Sequence, residues 1–109
     1  MKSFTDVSTE AIASYREQGA VCLRQVIDDE WIETCRRGVR KSIDNPGTFF
    51  RDYTADDSPG RYLFDYWIWQ AIPELRRFSL ESRLPGIIAE LLQVDHLSQL
   101  MDQWFRREE

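Results

Sequence analysis

Residues 97–109, LSQLMDQWFRREE, decide how the rest of the chain is read. Their side chains fall into two alternating sets. One holds Leu97, Gln99, Met101, Gln103, Phe105 and Arg107, and the other holds Ser98, Leu100, Asp102, Trp104 and Arg106. Each set mixes apolar with polar residues, so the period predicts a strand of about ten residues with both faces partly covered. An aromatic pair at its centre, Trp104 and Phe105, implies that this strand enters a sheet.

Upstream of it the period is helical. Ser8 is a natural N-cap with Val7 and Ile12 placed as a hydrophobic staple, and Gly19 is a stop, so a first helix spans residues 9–18. AVCLRQVI at 20–27 is short and rich in β-branched residues, and it predicts a strand. Asp28 caps a second helix, with Ile27 and Ile32 repeating the staple and Asp29 and Glu30 at the positive end of the dipole. Trp31, Ile32, Cys35, Val39 and Ile43 form its apolar stripe, expected to face the core. Asn45, Pro46 and Gly47 end it. Pro73 and Pro85 suit the first turns of a third helix, carrying Leu75 and Phe78, and a fourth, carrying Ile87, Ile88, Leu91 and Leu92. The turn-rich run TADDSPG at 54–60 is too short for a domain linker, so residues 1–109 read as one α+β domain.

Composition narrows the function classes. A chain of 109 residues with 42% hydrophobic and 13% aromatic content is globular. A domain of this size buries about two thirds of the surface its unfolded chain exposes, so the core is thin. The net charge of −5, from 19 acidic and 14 basic residues, speaks against nucleic acid as a partner. The arginine pairs at 36/37, 76/77 and 106/107 are interspersed with carboxylates and read as solvated faces. No stretch approaches the roughly 20 apolar residues of a membrane span. Cys22 and Cys35 have no CxxC spacing and are expected to be free, buried thiols in a reducing cytoplasm. Tyr62, Phe64, Tyr66, Trp67 and Trp69 form a dense aromatic cluster, read as core in preference to a ligand floor.

Chemistry-bearing motifs are sparse. His96 is the only histidine. A non-haem iron triad needs two His and a carboxylate, and zinc needs three or four clustered donors, so this chain alone builds neither. There is no GxSxG elbow, no GxGxxG and no P-loop. Asp28/Asp29 and Asp56/Asp57 sit in cap and turn contexts that already account for them.

Three segments nevertheless carry a resemblance. YREQGAVCLRQVIDDEWIETCRRGV, DYWIWQAIPELRRFSLESRLPGIIAELLQ and LMDQWFRREE are similar, in order and spacing, to the opening of the phytanoyl-CoA dioxygenase family. Together they cover roughly residues 12 to 109. The resemblance implies helices packed outside the first strands of a double-stranded β-helix, a jelly-roll or cupin-like barrel. It implies Fe(II)- and 2-oxoglutarate-dependent oxidation, usually hydroxylation, of a small organic or acyl substrate.

In that family the His-x-Asp pair, the second His and the 2-oxoglutarate-binding Arg all follow the strand that DQWFRREE resembles. Residues 1–109 are therefore expected to be the N-terminal part of a longer oxygenase, truncated before the metal site, or a degenerate remnant. Alone they are expected to be inactive and to bind no cofactor. Arg107 stands where the family usually has Lys, and Glu109 where it usually has Pro.

By the resemblance, Asp102 and Trp104 point into the barrel mouth and contact cosubstrate or substrate, with Leu100 below them and Phe105 on the packing face. The alternative leaves Asp102 as a paired strand carboxylate and Trp104 as core. The competing function is a small non-catalytic interaction module. It would associate through its edge strand or aromatic cluster, and a homodimer through an exposed strand edge is compatible with either function.

Overall fold

A computed structural model describes residues 7–54, 56–57 and 59–108. Four helices and a three-stranded antiparallel sheet make an α+β architecture: α1 (Thr9–Gln18), α2 (Asp29–Asp44), β1 (Arg51–Asp52), β2 (Arg61–Tyr66), α3 (Pro73–Glu81), α4 (Leu84–Leu92) and β3 (Gln103–Glu108). The sheet order is β1-β2-β3.

The helix ends follow their local chemistry. Ser8 Oγ accepts from the Ala11 amide at 3.0 Å, and Asp28 Oδ1 accepts from the Trp31 amide at 3.0 Å. Each satisfies a donor that the first turn leaves without an intrahelical partner. Val7 is buried beneath the start of α1, and Gly19 ends it in the left-handed region at φ 76°.

The expected strand at 20–27 does not form. The segment turns at Arg24 and Gln25, and Gln25 takes φ 59°, a left-handed conformation that breaks an extended run. The sheet forms from β1, β2 and β3 alone, and the segment pairs with none of them. The cysteine reading also changes: both thiols are free, but Cys22 is exposed and Cys35 is half-buried.

The terminal strand is shorter than its alternation suggests, Gln103–Glu108 rather than about ten residues, and Leu97, Leu100 and Met101 precede it in the open. It pairs with β2, a strand the aromatic reading overlooked, through Leu63↔Arg106, Phe64↔Phe105 and Asp65↔Trp104.

The core lies between this sheet and the helices. Leu63, Ile68, Leu75 and Trp104 are its buried members, with Val39, Ile43, Phe50 and Ile72 packed against them. Only alternate residues of β2 reach it: Leu63 and Asp65 are buried, whereas Tyr62 and Trp67 are exposed and Phe64, Tyr66 and Trp69 are half-buried. The aromatic cluster therefore does not form the core.

α2 turns Val39 and Ile43 of its apolar stripe to the core as expected and leaves Trp31 and Cys35 half-buried, but its most deeply buried residues lie beside that stripe. Thr34, Gly38 and Ser42 are its buried residues, while Ile32 is exposed. The reason is a close crossing with α3, since a Cβ at Gly38 would lie 2.7 Å from Leu75 Cγ and 3.2 Å from Glu74 Cβ. Small side chains let the two helices meet where larger ones would hold them apart. Lys41 Nζ closes the same crossing against Glu74 Oε2 at 2.5 Å.

A three-member polar chain runs through the centre. Trp104 Nε1 donates to Ser42 Oγ at 3.0 Å, and Ser42 Oγ donates to Asp65 Oδ2 at 3.0 Å. Ser42 and Asp65 are each 1% exposed, so neither can turn to water instead. Ser42→Ala is expected to destabilise the fold by about 2–4 kcal/mol, because it strands both a buried N–H and a carboxyl oxygen. Trp104→Phe added to Ser42→Ala should cost less than the two single changes combined, as a urea-denaturation double-mutant cycle would measure.

Candidate functional site

The helices cover one side of the sheet and leave the other bare. On the bare side the alternate residues of β2 and β3 line up: Tyr62 opposite Arg107, Phe64 opposite Phe105, and Tyr66 opposite Gln103. Tyr53 stacks on Phe64 with ring centroids 5.3 Å apart, and Phe49 stacks on Tyr66 at 4.7 Å and meets Trp67 edge-on at 5.3 Å. Phe105 lies 6.1 Å from Phe64. The result is a continuous aromatic floor, with Phe105 still 62% and Tyr53 63% exposed. Arg107 and Gln103 give it polar groups at its β3 margin. Such a surface offers flat apolar contact with a few groups able to orient a polar or anionic end.

At one end of this floor β2 turns toward α3 through a constrained corner. Trp67 adopts φ 56°, a conformation costing a non-glycine residue roughly 1–3 kcal/mol. The segment before β3 holds it there. The Trp67 amide donates to Asp102 O at 2.9 Å, and Trp67 Nε1 donates to Leu100 O at 3.2 Å. Asp102 Oδ1 accepts from the amides of Ile68 at 2.9 Å and Trp69 at 3.2 Å.

The two residues singled out in the sequence thus occupy different settings. Asp102 spends one carboxyl oxygen on the backbone of the corner. Trp104 lies on the helix side, 8% exposed, bonded to Ser42. Leu100 is 85% exposed, and Phe105 belongs to the bare face. The residues of β3 that do reach that face, Gln103, Phe105 and Arg107, are not among the site residues the sequence suggests. The signal that marks them is the period-two alternation of RYLFDY, in which Leu63 and Asp65 fall on one side and the rings on the other.

Among the described residues no three His, Cys, Asp or Glu side chains are grouped to hold a metal ion. His96 is exposed, and Asp65 and Asp102 are engaged in the bonds described. The described donors therefore do not converge on a site that fits iron. No helix is long and apolar enough to cross a membrane among the described residues. No protein-family model, curated protein or solved structure matches the chain.

Burial raises the Asp102 carboxyl above the ordinary aspartate value, and the nearby Asp65 adds to this, although the Trp69 and Ile68 amides pull the other way. The folded state therefore holds this proton to a higher pH than the unfolded chain does. The stability the group contributes is greatest below the unfolded-state value and falls as pH rises through the raised one. Asp102→Asn keeps an accepting oxygen and removes the charge. Its stability relative to the parent should increase from about pH 4 to about pH 7, whereas Asp102→Ala should lose about 1–3 kcal/mol throughout. Urea midpoints across that range test both.

Proposed function

We propose that this chain is the helix-backed opening portion of a non-haem Fe(II)- and 2-oxoglutarate-dependent oxygenase of the phytanoyl-CoA dioxygenase type, acting on a small organic or acyl substrate. The supporting observation is the two-sided character of the sheet, with one face sealed by helices through Leu63, Asp65 and Trp104 and the other bare and aromatic. A jelly-roll barrel with external helices calls for such a layer: helices on the outside, and an inner face that meets ligand.

In this reading the β3 residues turned toward substrate would be Gln103, Phe105 and Arg107, and the aromatic floor would form an apolar wall. Asp102 and Trp104 would act behind it, holding the corner and the helix contact. Because the donors present do not fit iron, the metal and 2-oxoglutarate would be held by other parts of the parent, and no chemical step is assigned to residues 1–109. The two free thiols support a reducing cytoplasm as its location.

A second reading, a non-catalytic interaction module, draws on the free edge of β3 and on the exposure of Phe105. The gene and its product separate them. Reading the gene past the codon for Glu109 should reveal a His-x-Asp pair within a few dozen codons, and the longer product should decarboxylate 2-oxoglutarate. Anaerobic titration of the 109-residue chain with Fe(II) should show no stoichiometric binding. A stop codon at that position would overturn the oxygenase reading, and turnover by the 109-residue chain would overturn the placing of the metal site in other parts of the parent.

A further inference from the structure

Strand β3 is at the edge of the sheet, and its hydrogen-bonding geometry fixes which backbone groups stay open. The Trp67 amide bonds to Asp102 O, and the register continues through Asp65↔Trp104, Leu63↔Arg106 and Arg61↔Glu108. In an antiparallel pair the mutually bonded residues recur every second position. Trp104, Arg106 and Glu108 therefore direct their N–H and C=O toward β2, and Gln103, Phe105 and Arg107 direct theirs away from it. Six backbone groups with no partner among the described residues line the free edge.

Beside that edge runs an open groove of about 660 Å³ between α2 and β3. Its apolar lining includes Ile32 and Val39 from α2, Phe78 from α3 and Phe105 from β3. Its charged lining is one-sided: Arg36, Arg37, Arg40 and Arg106 against the single carboxylate of Glu33. Glu33 is paired with Arg36, and Arg106 with Glu108 at 2.8 Å. Among the described residues Arg37 donates to the Thr34 hydroxyl alone, and Arg40 has no carboxylate partner. A groove with a local excess of positive charge on a chain of net charge −5 is a selective electrostatic feature.

We propose that the β3 edge and this groove form a docking site for an extended acidic segment of a partner protein, which adds to the sheet as a fourth strand. Backbone pairing with Gln103, Phe105 and Arg107 supplies the alignment. Alternate apolar side chains of the segment lie over Ile32, Val39 and Phe78, and its carboxylates meet the guanidiniums of the rim. The stretch of α2 from Ile32 to Arg40 is about 12 Å long, room for about four strand residues, which fits within the length of β3.

Charge argues against a second copy of this chain as the occupant. A twofold axis that pairs β3 with itself perpendicular to the sheet brings both helix faces to the same side. The arginines of one groove would then face those of the other. This inference goes beyond the oxygenase reading and does not depend on it.

Fluorescein-labelled ten-residue peptides, titrated by polarisation against the 109-residue chain, test it. A Val-Glu alternating peptide should bind saturably. Its Val-Lys counterpart, and the Val-Glu peptide interrupted by two prolines, should each bind at least tenfold more weakly. Arg36→Glu combined with Arg40→Glu alters exposed side chains only and should weaken the Val-Glu peptide at least tenfold. Phe105→Pro, which removes an outward N–H that β2 does not use, should do the same. Equal binding of the lysine or proline-interrupted peptide would overturn the proposal, the latter by reducing the site to bare charge attraction. So would a dimer in sedimentation equilibrium whose Gln103, Phe105 and Arg107 amides resist exchange without peptide, since the second copy would then be the occupant.

Discussion

The hydroxyl of Ser42 is the point on which α2, β2 and β3 converge. It receives the Trp104 indole N–H from one strand and gives its own proton to Asp65 on the next, in a setting where water cannot substitute for either. A buried polar group has few acceptable partners, so this chain of bonds fixes the depth at which α2 sits on the sheet and which side of each strand faces it. Leu63 and Trp104 fill the same layer. Apolar packing alone would tolerate α2 rotated by a fraction of a turn, and the hydroxyl makes that rotation costly. The α3 crossing reinforces it, because Leu75 packs so close to Gly38 that no side chain fits between them.

The helices were legible because their signals are local. Ser8 and Asp28 cap as their side chains dictate, and the prolines at 73 and 85 occupy first turns, where a missing amide costs nothing. What escaped sequence reading was decided by neighbours distant in the chain. AVCLRQVI has strand composition, yet a strand is a relation between two segments, and this one pairs with none of the three strands. Val39 and Ile43 of the α2 stripe do pack on the core, but Thr34, Gly38 and Ser42 look polar or small, and only the approach of α3 and β2 makes them interior.

The aromatic cluster illustrates the same limit from the other side. Five large rings between residues 62 and 69 are a strong hydrophobic signal, and in a thin domain they invite a core assignment. A strand has two faces, however, and the helices could cover only one. They took the side with Leu63 and Asp65, which left Phe64, Tyr66 and Phe105 on the other. The setting of Asp102 was equally out of reach, because its amide partners at 68 and 69 are more than thirty positions away.

Strand β3 carries two sets of instructions that barely interfere. Trp104 answers to Ser42 and the helix layer, while Gln103 and Phe105 answer to whatever meets the open face and free edge. Substitutions in the second set leave the first intact. A lineage built on this scaffold can revise its recognition chemistry by small steps without re-solving how the chain folds, and drift in one set need not be matched by compensation in the other.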